Sequence, residues 1–196
     1  MLTVILTGGA SRRMGRDKAA LPWGESTFLQ SLIDKYAALG PVAVSVDTPG
    51  RFAFHGAAEL VDAFPGQGPL NGLVSGFSRT GTEEIFLTGT DLPLGETALA
   101  RALAEKRGGA DACALRFGAK GVEPLFAVYG RGCLAAARAA LEAGERSFLR
   151  MLRRVAVRYV APEELPGFDL ERILLNVNTP GDYEKLLIET KRGDET

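Results

Sequence analysis

A single histidine stands in 196 residues. His55 lies between Phe54 and Gly56 with no nucleophile motif beside it, so Ser-His-Asp and Cys-His chemistries would both have to use this one loop residue. Histidine-based catalysis is set aside on that ground. Carboxylates, amines, backbone amides and metal ions remain. Cysteine is nearly as scarce. Cys113 and Cys133 match no zinc or redox spacing and read as small buried hydrophobes; without a cleavable leader, the expected compartment is a reducing cytosol. Long apolar runs are missing too, since Leu2-Thr3-Val4-Ile5-Leu6 is too short for a membrane span or a signal core. Finally, no excess of one charge exists: 23 basic residues face 24 acidic ones, for a net charge of −1. That balance argues against a nucleic-acid or membrane-surface binder, so any anion site must be local.

What is present is the pattern of one α/β domain. Apolar, β-rich runs alternate with helical spacing. Leu2–Leu6, Val42–Val46, Glu59–Asp62 and Ile85–Thr88 read as strands, followed by Ala110–Arg116, Leu125–Tyr129, Val157–Val160 and Ile173–Leu175. Thr27-Phe28-Leu29-Gln30 forms a capping box; Phe28, Leu29, Leu32, Ile33 and Tyr36 then recur at helical spacing until Gly40-Pro41. Helices are also expected near Leu70–Ser78, Glu96–Lys106, Leu134–Ala143, Phe148–Val155 and Pro180–Lys191. Continuous Val/Ile/Leu strands between helices imply a mainly parallel twisted sheet covered on both faces, a three-layer α/β/α, Rossmann-like arrangement. The domain is expected to span residues 1–190, with 191–196 as a polar tail.

The most informative stretch follows the first strand: Leu6-Thr7-Gly8-Gly9-Ala10-Ser11-Arg12-Arg13-Met14-Gly15-Arg16-Asp17-Lys18. Ligands of doubly wound sheets bind beyond the carboxyl ends of the strands. Gly8 and Gly9 let backbone approach a ligand closely, successive amides make an anion nest, and Arg12, Arg13, Arg16 and Lys18 concentrate positive charge suited to a triphosphate. Neither the Walker loop nor the dinucleotide fingerprint fits: the second Walker glycine would fall on Arg13 or Met14, and Ala10 follows Gly8-Gly9.

This loop resembles the signature of the sugar-phosphate and cofactor nucleotidyltransferases, and the chain is most similar to the molybdenum cofactor guanylyltransferases, of the GT-A-like fold. Gly68-Pro69-Leu70-Asn71-Gly72-Leu73, Thr90-Asp91-Leu92-Pro93, Pro124-Leu125-Phe126 and Asn176-Val177-Asn178-Thr179-Pro180 fall in that family's order. Thr7 stands where the family usually has alanine, Thr90 where cysteine is common, and Asp47 near the place of a nucleotide-contacting asparagine. The resemblance implies GTP and molybdopterin as substrates, pyrophosphate as product, Mg2+ as cofactor, and transient contact with proteins that supply or receive the molybdenum cofactor.

Asp91 follows the fourth strand. A 3-2-1-4 strand order with right-handed crossovers would set it across one crevice from Gly8, where a hard carboxylate suits Mg2+. A turn aspartate before Leu92-Pro93 is the alternative. Lys18 is the expected phosphate contact, with Arg13 beside it. The resemblance adds Leu6, Thr7, Gly8, Gly9, Asp62, Gly68, Pro69 and Leu70 to the nucleotide-binding set, Asn178 to the metal, and Asn176 and Asn178 to the second substrate. An Asx turn before the Pro180 helix is the other reading of the asparagines. Lys120, Arg146, Arg150, Arg153 and Arg154 could meet an anionic pterin or simply form a solvated face. A cytidylyl- or uridylyltransferase and a non-catalytic nucleotide-binding module are the alternatives to the guanylyltransferase.

Overall fold

A five-residue run with no polar alternation can be buried on both sides only inside a sheet. In the computed structural model, which describes residues 1–7, 17–52, 54–64, 66–118 and 121–193, that run is β1 (Leu2–Leu6), buried along its length. The other central strands are β4 (Val42–Val46), β5 (Ala58–Val61), β6 (Glu84–Gly89), β7 (Ala112–Arg116), β8 (Val122–Gly130) and β9 (Val157–Val160). They form one sheet of order β5-β4-β1-β6-β8-β7-β9. Strands β5, β4, β1 and β6 pair in parallel, which is the expected 3-2-1-4 order. Strand β8 runs antiparallel to both of its neighbours, and β9 returns to parallel pairing with β7. The carboxyl ends of β1, β4, β5, β6, β7 and β9 therefore share one edge with the start of β8.

Helices cover both faces. On one, α2 (Leu70–Thr80), α4 (Cys133–Glu142) and α5 (Phe148–Leu152) pack Leu73, Phe77, Leu141 and Met151 onto the sheet. On the other, α1 (Phe28–Tyr36) and α3 (Thr97–Arg107) bury Leu32, Ile33, Tyr36, Leu99 and Leu103. All five apolar residues expected to define the α1 face are buried. Both cysteines are buried free thiols, and burial pushes them up, Cys113 to about 11 and Cys133 to about 12.

Helix α2 lies close against β1 because glycines face the sheet. A Cβ on Gly72 would meet Leu6 Cδ2 at 2.3 Å and Ser45 Oγ at 3.3 Å. Gly72→Ala is expected to destabilise the protein by about 1–3 kcal/mol through overpacking. A lowered urea midpoint with an unchanged slope checks this; an unmoved midpoint would mean that α2 slides freely on the sheet.

Several expectations are corrected. Ile173–Leu175 is not a strand. A single turn, α6 (Leu170–Ile173), ends at the first residue of that run: Asp169 caps it by accepting from the Arg172 amide at 3.1 Å, and Leu170 and Ile173 are both buried. Short apolar runs carry too little periodicity to separate turn from strand. The capping box of α1 is only half made. Thr27 Oγ1 accepts from the Gln30 amide at 3.2 Å, but the Gln30 side chain turns to the His55 backbone, donating to its carbonyl and accepting from its amide. A small antiparallel hairpin, β2 (Pro22–Trp23) with β3 (Ser26–Thr27), precedes that helix. The last helix, α7 (Pro180–Gly193), runs past residue 190 into the expected tail, whose final residues 194–196 lie outside the described ones.

Candidate functional site

The carboxyl edge of the parallel strands is laced together by side chains. The Thr7 hydroxyl donates to the Ser45 carbonyl at 2.6 Å, Ser45 Oγ donates to Asp62 Oδ1 at 2.8 Å, and the Thr90 amide donates to the Leu6 carbonyl at 3.1 Å. Thr7 thus has a physical reason to stand in place of alanine: its hydroxyl ties the end of β1 to β4. Ser45, a polar residue inside Val-Ala-Val-Ser-Val, sets the Asp62 carboxylate. Burial holds that carboxylate above its usual range, against the Ser45 hydrogen bond, with the charge of Asp47 adding to the upward push.

Lys18 begins a 3-10 turn, Lys18–Ala20, capped by Asp17 through the Ala19 amide at 3.1 Å. Ala19 is buried, which anchors the turn. The second Asp17 oxygen pairs with Arg51 at 2.8 Å, and Arg51 reaches Asp47 at 2.9 Å. Asp47 is thereby engaged at the surface. From this turn the Lys18 ammonium donates to Asn178 Oδ1 at 2.7 Å. The neighbouring Val177, fully buried, donates its amide to the Asp91 carbonyl at 2.9 Å. Two hydrogen bonds and the single peptide step from Asn178 to Val177 therefore join Lys18 to Asp91.

The Asp91 turn is firmly built. The Leu92 amide closes on the Gly89 carbonyl at 3.2 Å. A Cβ at Gly89 would sit 2.4 Å from Asp91 Oδ1, so the carboxylate folds back over the strand end only because Gly89 lacks one. Lys35 Nζ donates to the Pro93 and Gly95 carbonyls at 2.7 and 3.0 Å. Burial pulls this ammonium down to about 8, against the pull of Glu96 and together with the repulsion of Arg172. Across the edge, Glu123 accepts from the Leu125 amide at 2.8 Å within a bulge of β8, where the pairing shifts from Ala114–Ala127 to Leu115–Glu123. Pro124 cannot donate to a ladder, which favours a bulge there. Burial raises the Glu123 carboxyl, the Leu125 hydrogen bond opposes this, and the charge of Asp91 adds to the rise.

Of the two asparagines, the structure brings Asn178 to Lys18, while Asn176 is exposed and donates to the Leu174 carbonyl at 3.3 Å. The segment ends in reciprocal capping. Asp182 accepts from the Asn178 and Thr179 amides at 3.0 and 2.8 Å, and its own amide donates to Thr179 Oγ1 at 3.2 Å. These bonds hold the Asp182 carboxyl below its usual range. The helix start therefore relies on Thr179 and Asp182, not on an asparagine turn.

Gly8, Gly9 and Arg13 lie outside the described residues, as does Lys120. The Leu6 and Leu70 side chains are core residues, so each can offer a ligand only its backbone. Gly68 takes a left-handed φ of 83° just before Pro69 and α2. The loop between Asp62 and Gly68 is held by Asn71, which accepts from the Phe64 amide at 2.9 Å and donates to the Phe64 carbonyl at 2.5 Å. Ser45, Lys35, Arg51, Asn71 and Glu123 were not expected from the sequence. A polar residue inside an apolar run was the one available signal, for Ser45. Arg146, Arg150, Arg153 and Arg154 are exposed. Arg150 pairs with Glu145 at 2.6 Å, and the Arg146 Cβ lies 3.8 Å from where a Gly68 Cβ would be.

Among the described residues no three His, Cys, Asp or Glu side chains gather to hold a metal. The edge offers instead the Asp91 carboxylate and the Asn178 carboxamide oxygen. A sparse set of hard oxygens fits an ion of the Mg2+ type, which keeps waters and takes phosphate oxygens as further ligands. It does not fit a closed zinc cage. Asn178 Oδ1 receives Lys18 yet keeps a second lone pair.

Comparison with known proteins matches residues 3–157 to the MobA-like NTP transferase domain. A protein of Carboxydothermus hydrogenoformans described as a probable molybdenum cofactor guanylyltransferase is 35% identical over 188 residues, covering 95% of each chain. One from Pelotomaculum thermopropionicum with the same description is 32% identical over 184 residues, 93% of this chain and 89% of the relative. Among solved structures, the molybdopterin-guanine dinucleotide biosynthesis protein A of Archaeoglobus fulgidus superposes with a TM-score of 0.83 at 24% identity, covering 97% of this chain and all (100%) of that one.

Proposed function

The chain belongs to the MobA-like NTP transferase family and is a nucleotidyltransferase, and from this premise we propose that it transfers GMP from GTP to molybdopterin with release of pyrophosphate. The observation that carries the reading is the pair of hydrogen bonds, Lys18 to Asn178 and the adjacent Val177 amide to the Asp91 carbonyl, that ties Lys18 to the Asp91 turn beside the end of β1, in a chain similar over nearly its whole length to guanylyltransferases.

An oxygen of the molybdopterin phosphate attacks the α-phosphorus of GTP. The bond from that phosphorus to the bridging oxygen breaks, and pyrophosphate leaves with the electron pair. The nucleophile is already anionic, so no general base is needed. Lys18 opposes charge on the leaving pyrophosphate, helped by Arg13 and the amides of Gly8 and Gly9. Asp62 and the backbone of Gly68, Pro69 and Leu70 hold the guanosine. Thr7 and Ser45 keep the strand ends in register beneath it. Asp91 would hold Mg2+, with Asn178 alongside, and the bound ion supplies positive charge at the triphosphate oxygens. Catalysis is then positioning and electrostatics, the usual terms of phosphoryl-group chemistry. Asn176 serves the second substrate. The reaction belongs in the cytosol, with brief contacts to proteins that deliver or accept the cofactor; among the described residues no helix is long and apolar enough to cross a membrane.

Thermal unfolding with GTP, ATP, CTP and UTP, each with Mg2+, tests the nucleotide. GTP at a hundredfold its dissociation constant is expected to stabilise the fold by about 2.7 kcal/mol, and the others by much less. Preferential stabilisation by CTP or UTP would move the enzyme to a cytidylyl- or uridylyltransferase, and binding without pyrophosphate release to a non-catalytic module.

A further inference from the structure

Three carboxylates stand in the half of the sheet edge that is to hold an anionic nucleotide. Asp47 follows the end of β4, Asp62 follows the end of β5, and Asp17 caps the Lys18 turn. We propose that Arg51 is a positioning residue for GTP: by bridging Asp17 and Asp47 it cancels the repulsion these carboxylates would exert on the triphosphate beside Lys18. The inference rests on the nucleotidyltransferase reading and deepens it.

The build of the bridge is the first argument. Arg51 uses a different nitrogen for each partner: Nη2 donates to Asp17 Oδ2 at 2.8 Å, and Nη1 donates to Asp47 Oδ1 at 2.9 Å. A lone exposed ion pair contributes little, because two long side chains must be ordered to make it; a network held in one geometry escapes that cost in part. Here the guanidinium also lies over the Phe52 ring, 5.0 Å from its centroid, and Phe52 packs on the core on the α1 and α3 side. The turn that carries Arg51 is fixed as well. Gly50 takes a left-handed φ of 71°, and its amide donates to both Glu59 oxygens at 3.0 and 2.9 Å. Arg51 is therefore aimed by its own surroundings before any ligand arrives.

The second argument is where the bridge leads. One Asp17 oxygen accepts from the Ala19 amide and the other takes Arg51, so the carboxylate that caps the Lys18 turn is the one Arg51 neutralises. At the far end, the charge of Asp47 reaches Asp62 and helps to raise its carboxyl. Arg51 thus faces an acid on the side of the phosphate contact and another on the side of the nucleoside contact. Its removal leaves both acids uncompensated where Lys18 has to attract a triphosphate, and like charges repel across such distances unless salt screens them. The Lys18 turn itself would stand, because its cap on Ala19 and the burial of Ala19 do not involve Arg51. The loss is one of charge. It should fall on the phosphates and spare the uncharged nucleoside.

Calorimetric titration of wild type, Arg51→Ala, Asp47→Asn and the double variant with GTP and Mg2+, and separately with guanosine, tests the assignment. Molybdopterin is left out, so binding is read without transfer. Arg51 and Asp47 are exposed, so the variants keep the fold. At low salt Arg51→Ala is expected to weaken GTP binding roughly five- to tenfold, the scale of a lost charge at the rim of a site, with guanosine binding unchanged. Raising the salt to about 1 M, where the Debye length is about 3 Å, should remove most of that difference. Asp47→Asn alone should not weaken GTP, and placed in Arg51→Ala it should return the affinity to within about twofold of wild type, since the two changes are coupled through one ion pair. GTP affinity unmoved in Arg51→Ala, an equal loss for guanosine, or a double variant no better than Arg51→Ala would each overturn the assignment while leaving the transferase reading intact. Failure of wild type to bind GTP more tightly than guanosine would instead overturn the reading beneath it.

Discussion

Asp91→Ala is expected to lower the turnover of GMP transfer by roughly 10²–10³, about 3–4 kcal/mol of transition-state stabilisation, in a protein that still folds. The side chain can be removed without opening the core, because the tertiary link at this position is made by backbone: the Asp91 carbonyl accepts from Val177. The turn keeps its other supports, the Leu92 closure and the two carbonyls held by Lys35. What disappears is the one carboxylate that Gly89 allows to fold over the end of β6. Glu123, raised by burial and by the charge of Asp91, is not a ready substitute, since one of its oxygens is already bonded to the Leu125 amide. Pyrophosphate release at saturating GTP and Mg2+ measures the loss, with a urea melt as the control for folding. Turnover within a few-fold of wild type would strip Asp91 of its assigned role.

How much of this was readable in advance follows from the range of the interactions. β1, β4 and β6 announced themselves because burial on both faces removes the polar alternation from a strand and leaves a mostly apolar run. The order of those strands then followed from short right-handed crossovers, and Asp91 fell on the correct edge as a consequence. The α6 turn, the hairpin of Pro22–Trp23 with Ser26–Thr27, and the bulge at Pro124 are too short to leave a periodic trace. The side-chain bonds of the site are long-range and were invisible for another reason. Lys18 and Asn178 are 160 residues apart in sequence, and Lys35 and Pro93 are 58 apart. No local rule predicts such partners. Gln30 makes the point in reverse: its local rule, the capping box, was legible and lost to the His55 backbone, which offered both a donor and an acceptor.

Lys18→Ala should match Asp91→Ala in size, again roughly 10²–10³ in turnover, but its signature should differ from that of a merely supporting residue. Two accounts of Lys18 are separable. Either its charge acts on the departing pyrophosphate, or it serves to orient Asn178, which it meets at 2.7 Å. Under the second account, Asn178→Ala would reproduce the loss, and the double variant would be no worse than either single one. Under the first, Lys18→Ala is the more damaging change, and Lys18→Arg retains part of the rate because it keeps the charge on altered geometry. A double-mutant cycle on pyrophosphate release decides between them through the coupling energy of contacting residues, commonly about 0.5–3 kcal/mol. Charge acting on the leaving group predicts a coupling well below the full effect of Lys18→Ala, because most of that effect is exerted on the nucleotide and not on Asn178. Equal losses in both single variants and in the double would assign the chemistry to the orientation of Asn178 and leave the leaving group to the arginines of the neighbouring loop.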